Sequence, residues 1–221
     1  MTEKSSDDAR FLGKVTAVVT HDLQNVIAII KETAGLMEDI LLMNQGKESP
    51  FLEKFQKSLT TIKNQTIRGA VLIRNLNAFA HSPDYEEKEI DIVATSRMLS
   101  ALIERKCKSS EVSIHTESSP LPAMIRTQPV RFEMALLAAI EIVMGWTKKG
   151  GRLTIVPEMK ETGAFIKISG HEVSNEKGEA SCVGEDLLSD QLRLLEDIMK
   201  TIKGRAERPS HGKEIILSFN V

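Results

Sequence analysis

The sequence predicts an α+β chain of two domains: a helical hairpin that pairs with a second copy into a dimeric four-helix bundle, then a C-terminal α/β sandwich. Three observations carry this reading. Apolar residues near the N-terminus recur three and four apart over a long stretch. A second such run follows a short break. After Tyr85 the pattern changes to short alternating segments mixed with shorter helices. The boundary is placed between residues 84 and 85.

The first helix is read from Asp8 to about Asn44, which contains no proline and only two glycines, Gly13 and Gly35. Its apolar seam is Val15, Val19, Leu23, Val26, Ile30, Ala34, Met37 and Leu41, a coiled-coil-like spacing. Gly46, Ser49 and Pro50 break it. The second helix carries Leu52, Phe55, Leu59, Ile62, Thr66, Gly69, Ile73, Leu76 and Ala80, and stops near Ser82-Pro83-Asp84. One hairpin has too little partner surface to bury both seams. Pairing two hairpins solves this, so a homodimer is expected.

Beyond Tyr85, Glu89 to Val93 reads as a short strand, Ala94 to Lys106 as a helix and Glu111 to Thr116 as a strand. Arg131 to Trp146 has few charges and predicts a mostly buried helix. Arg152 to Pro157 and Ala164 to Ser169 form a strand pair, with Glu161-Thr162-Gly163 at the turn. Asp186 to Lys203 predicts a helix with Gly204 as its C-cap. Glu214 to Asn220 is a last strand.

Composition narrows the partners. The 221 residues are 41% hydrophobic but only 4% aromatic, so the core is aliphatic. A formal net charge of -2 gives no electrostatic case for nucleic acid or an anionic membrane. No apolar run reaches the roughly 20 residues of a membrane span. Met1 to Arg10 lacks the apolar region of a signal peptide, which points to a cytoplasmic location. Cys107 and Cys182 make neither a disulfide framework nor a metal cage.

The residues that carry chemistry are Thr20-His21-Asp22-Leu23-Gln24-Asn25. His21 lies two residues from both Val19 and Leu23, about 200° around a helix, so it points away from the seam. Asn25 is one turn on, on the same face. Ala17 and Ala28 share that face, and Val18 and Ile29 border it. An exposed histidine with small neighbours and an apolar rim suits docking by another protein, with Lys14, Ala17, Val18, Ala28 and Ile29 at the contact. A neutral imidazole is a nucleophile near pH 7. Asp22 is placed to hold the other ring N–H, and Asn25 to orient a water. His81, His115, His171 and His211 have no comparable context.

His21-Asp22-Leu23-Gln24-Asn25 resembles the H-box of sensor histidine kinases, and Phe51 to His81 resembles the partner helix of their dimerisation and phosphotransfer domain. The order of elements from Glu89 to Val221 is similar to the kinase ATP-binding domain. The nucleotide residues depart from the family. Ala138 and Ile142 stand where its asparagine box has two asparagines, and neither offers an oxygen ligand to magnesium. Gly170-His171-Glu172 stands in place of the adenine-binding aspartate and its glycine. Val173 to Gly184 holds only Gly178 and Gly184 and lacks the glycine-rich lid. Glu141, on the same helix as Ala138, reads as a partly exposed charge. The combination is similar to the dimeric histidine phosphotransferases.

That resemblance implies relay of a phosphoryl group between response-regulator receiver aspartates through His21, with no cofactor bound by this chain and Mg2+ supplied by the receiver. Three alternatives stand beside it. One is an ATP-dependent kinase with a divergent nucleotide site. The others are a non-catalytic scaffold and a receiver phosphatase using Asn25.

Overall fold

The computed structural model describes residues 2–43, 51–117, 122–172, 185–209 and 213–219. Helix α1 runs Thr2–Met43 and α2 runs Phe51–Ala80, antiparallel to it. Strand β1 (Lys88–Asp91), α3 (Ile92–Ser109), β2 (Ser113–Thr116), β3 (Met124–Thr127) and α4 (Pro129–Trp146) follow. Then come β4 (Arg152–Lys160), β5 (Gly163–His171), α5 (Glu185–Thr201), β6 (Gly204–Glu207) and β7 (Glu214–Phe219). The hairpin turn at Gln45 to Pro50, the lid segment Val173 to Gly184, Cys182 and His211 lie outside the described residues.

The main sheet has the order β2-β4-β5-β7-β6, with β2 parallel to β4 and the rest antiparallel. Alternation with period two puts one face of every long strand inward. Leu153 and Ile155 of β4, Ala164, Ile166 and Ile168 of β5, and Ile215, Leu217 and Phe219 of β7 are all buried. The register stacks them: Ile155 faces Ile168, which faces Ile215, and Ile166 faces Leu217. Helices α3, α4 and α5 cover this face, with Phe132, Leu136, Ile140 and Val143 of α4 at the centre. The result is the expected two-layer α/β unit after a pair of long helices.

Two short strands were not legible in the sequence. Strand β3 pairs with β1 in a separate two-stranded ribbon, with Ile90 opposite Ile125. The edge strand β6 pairs with β7, Ala206 opposite Leu217. The first strand also ends sooner than the sequence suggests, because Asp91 caps α3. Its carboxylate accepts from the Val93 N–H at 2.9 Å and turns Ile92 and Val93 into the helix. Gly204 is not a C-cap. The left-handed residue after α5 is Lys203, at φ 56°, and Gly204 opens β6. A Cβ there would lie 3.0 Å from the Ser218 backbone oxygen across the strand pair, a tight approach that favours glycine.

The seam of α1 is largely as expected, with Val15, Val19, Val26 and Met37 buried, and Phe11 added to it. The seam of α2 is rotated. Ser58, Leu72 and Phe79 are buried, while Leu59, Thr66, Ile73 and Ala80 are exposed. The helix carries two apolar stripes, and only one meets α1. Phe11 and Phe79 pack edge to face, with centroids 5.5 Å apart. They continue without a break into the core of the α/β unit.

Candidate functional site

His21 projects from the middle of α1 into solvent. Asn25, one turn later, is half-buried and donates its Nδ2 to the His21 backbone oxygen at 2.7 Å. The same nitrogen lies 3.1 Å from His21 Nδ1. Nδ1 therefore accepts from Asn25, and Nε2 is the other nitrogen of this exposed ring. Thr20, the residue before, folds its hydroxyl back onto the carbonyl oxygens of Thr16 and Ala17 at 2.9 and 3.1 Å.

Asp22 does not hold the His21 ring. One residue is a 100° step on a helix, and here that step turns Asp22 inward to 1% exposure. Its two oxygens accept from Arg68 Nη2 of α2 at 2.9 and 2.8 Å, and Oδ1 also from Arg105 Nη1 of α3 at 3.4 Å. The sequence carried a signal for this. Val15, Val19, Asp22 and Val26 are spaced four, three and four, so the aspartate sits in the seam and requires a cation from a neighbour.

The other residues of the face divide as follows. Lys14, Ala17 and Ala28 are exposed, and Val18 and Ile29 are half-buried beside them. Lys14 is seven residues before His21, on the same side of the helix, and is engaged within the chain. Its ammonium meets Glu141 of α4 at 2.9 Å, and Glu141 also accepts from Lys106 of α3. Glu141 is thus a junction between three helices, where the sequence suggested only a partly exposed charge. Burial alone would raise its pKa, but the bonds from Lys106 and Lys14 outweigh burial and hold the carboxyl below the usual range.

The region around Ile142 and Gly170 is closed. Ile142 is 1% exposed. Thr147 follows α4, and its hydroxyl donates to the Val143 oxygen at 2.8 Å. A Cβ added at Gly170 would meet Thr147 Oγ1 closer than two unbonded heavy atoms can stand, and Val143 Cγ1 at 3.4 Å. No side chain can replace Gly170 unless Thr147 moves. Glu172 is held by Lys213 at 2.6 Å and Lys148 at 3.3 Å, and the hydrogen bonds from Lys213 and Lys148 lower its pKa. Ala138 is half-buried and lines a groove of about 320 Å³ between α1, α4 and α5, together with Phe11, Lys14, Glu141 and Leu194. Among the described residues no cluster of His, Cys, Asp and Glu could hold a metal ion, and no helix is long and apolar enough to cross a membrane. Cys107 is buried, and burial pushes its thiol up to about 11.

The remaining histidines stand apart from this face. His81 Nδ1 lies 2.7 Å from Asp84 Oδ2 beyond the end of α2, and His115 and His171 are exposed on strands.

No family model matches the chain. Among solved structures it is similar to the Acinetobacter baumannii histidine kinase AdeS, at 17% identity over 89% of this chain and 94% of that one, with a TM-score of 0.44. It is similar to a bacterial phosphotransferase at 16% identity over 94% of each chain, with a TM-score of 0.47. It is also similar to the histidine kinase ThkA, solved in complex with the response regulator protein TrrA, at 16% identity over 99% of this chain and 64% of that one, with a TM-score of 0.44. At these identities the likeness is one of fold.

Proposed function

We infer that this chain is a histidine phosphotransfer protein, which takes a phosphoryl group from a receiver aspartate onto His21 and passes it to another, without binding ATP. The observation that carries this reading is the pairing of an exposed His21 with Asn25. Asn25 Nδ2 donates to Nδ1, which needs a lone pair there. A phosphoryl group on Nε2 leaves Nδ1 in that state, so the contact suits the phosphorylated imidazole. The neutral imidazole with the same contact carries its proton on Nε2, so attack uses the other tautomer, with the proton on Nδ1 and the lone pair on Nε2. From it the Nε2–P bond forms as the aspartyl O–P bond breaks, and the Nδ1 proton then leaves, which makes Nδ1 the acceptor for Asn25. Asp22 is committed to two arginines and does not take that proton. The proton leaves to solvent or to the freed receiver carboxylate.

Little else is needed from this chain, because phosphoryl transfer rests mainly on positioning and charge neutralisation. Mg2+ would come with the receiver. The closed contact between Gly170 and Thr147 and the buried Ile142 support the reading that the nucleotide function is gone. Ile27, Leu36 and Leu42 of α1 and Leu59, Ile67 and Ile73 of α2 are exposed apolar residues, which supports pairing of two hairpins into a homodimer.

The deciding experiment mixes a radiolabelled phosphorylated receiver domain with the full chain. Label should pass to the chain, and His21→Ala should remove it completely. The variant's thermal stability should stay within about 0.5 kcal/mol of the parent, because His21 is exposed. Labelling of the His21→Ala protein, or labelling of the wild type by ATP and magnesium alone, would sink the reading.

A further inference from the structure

Beneath the last turns of α2 lies a cavity of about 530 Å³, within the usual range for small-molecule sites. Its lining comes from both parts of the chain: Arg74 and Ala78 from α2, Lys88 and Ile90 from β1, Met98 from α3 and Glu133 from α4. Glu133 is 2% exposed. Its Oε1 accepts from the Ser82 hydroxyl at 2.6 Å, while Oε2 is buried with no partner among the described residues. A buried carboxyl oxygen in that position is costly unless something else meets it.

The charges on the lining are unbalanced. His81 Nδ1 and Asp84 Oδ2, which also line the cavity, lie 2.7 Å apart and pair with each other. Lys88 rests over the Tyr85 ring at 4.7 Å, and neither it nor Arg74 has a carboxylate partner among the described residues. Burial holds Glu133 protonated, with its pKa pushed up to about 8, and the Ser82 bond does not reverse this. The lining therefore has two unpaired cations, an apolar wall at Ala78, Ile90 and Met98, and a carboxyl group that can donate.

We propose that this cavity binds a small organic acid, its carboxylate on Arg74 and Lys88, its apolar body against Ile90 and Met98, and a hydroxyl or carbonyl oxygen accepting from Glu133. The site spans the junction of the hairpin and the α/β unit, so an occupant would tie one to the other. Nothing in this proposal depends on the phosphotransfer reading.

Calorimetric titration of the full chain with para-coumarate and cinnamate, which differ only in one hydroxyl, tests it. Para-coumarate should bind saturably and cinnamate roughly tenfold more weakly, the worth of one such hydrogen bond. Arg74→Ala should weaken both by about tenfold or more, as loss of a charge-assisted bond does. Glu133→Gln keeps a donor and should preserve the preference for para-coumarate. Glu133→Leu should bring the two probes level. Absence of saturable binding by either probe overturns the proposal, as does equal binding to the wild type or indifference to Arg74→Ala. Preferential binding of tyramine that disappears in Glu133→Gln would show a cation site instead.

Discussion

Helices α1 and α4 each bury a carboxyl group, and they treat it in opposite ways. Asp22 is ringed by two guanidinium groups, one from α2 and one from α3. Glu133 meets a single serine hydroxyl and keeps one oxygen unpartnered. Asp22 is a charged tie between elements. Glu133 is a proton-holding group that resists ionisation. The first arrangement fixes the helix that carries His21. The second makes the junction of the hairpin and the α/β unit sensitive to pH.

The contrast is sharpest in the pH dependence of stability. Glu133 keeps its proton in the folded chain up to about 8, while the unfolded chain releases it near 4.5. Between those values the folded state binds more protons, so its stability falls as pH rises, and the fall ends above about 8. Glu133→Gln lacks this slope. Chemical denaturation at pH 5 and pH 9 should show the variant gaining on the wild type by a few kcal/mol, on the order of 4. A constant difference at both pH values would remove the contrast with Asp22.

Removing the charged tie is the next largest effect. Asp22→Ala leaves Arg68 and Arg105 facing each other across the seam. The cost should be about 3 kcal/mol, at the low end for a broken buried pair because both arginines reach solvent. Denaturant midpoints measure it. A loss under about 0.5 kcal/mol would mean that Asp22 is idle. Gly170→Ala should cost about 1–3 kcal/mol by overpacking against Thr147, and Thr147→Ala in the same chain should recover part of it. The smallest change in stability belongs to Asn25→Ala, within about 0.5 kcal/mol on a half-buried position. It should still shorten the lifetime of phosphohistidine on His21, followed by loss of label with time. An unchanged lifetime would remove Asn25 from the proposed chemistry.

The long helices and the main hairpin of the sheet were legible because their apolar periods run over many residues. The outward placement of His21 followed from the same arithmetic. What the sequence hid is pairing at a distance. Strands β3 and β6 are four residues each, too short to show an alternation of their own, and their partners β1 and β7 supply the reason they form. Asp22 was read as a partner of His21 because the two are adjacent. Its true partners lie 46 and 83 residues away. The burial of α2 was misread for a related cause. Two apolar stripes on one helix cannot say which of them faces its own hairpin.

The bond from Asp22 to Arg105 crosses from the hairpin to the α/β unit, as does the bond from Lys14 to Glu141. Phe11, Val15, Val19 and Phe79 share one core with Ile92, Leu99 and Leu136. Cutting the chain after residue 84 would strip Asp22 of one of its two arginines and bare those four side chains to water. The fragment bearing His21 is therefore a poor substitute for the whole. A loss anywhere along this seam should be felt at His21, because the two parts share one core.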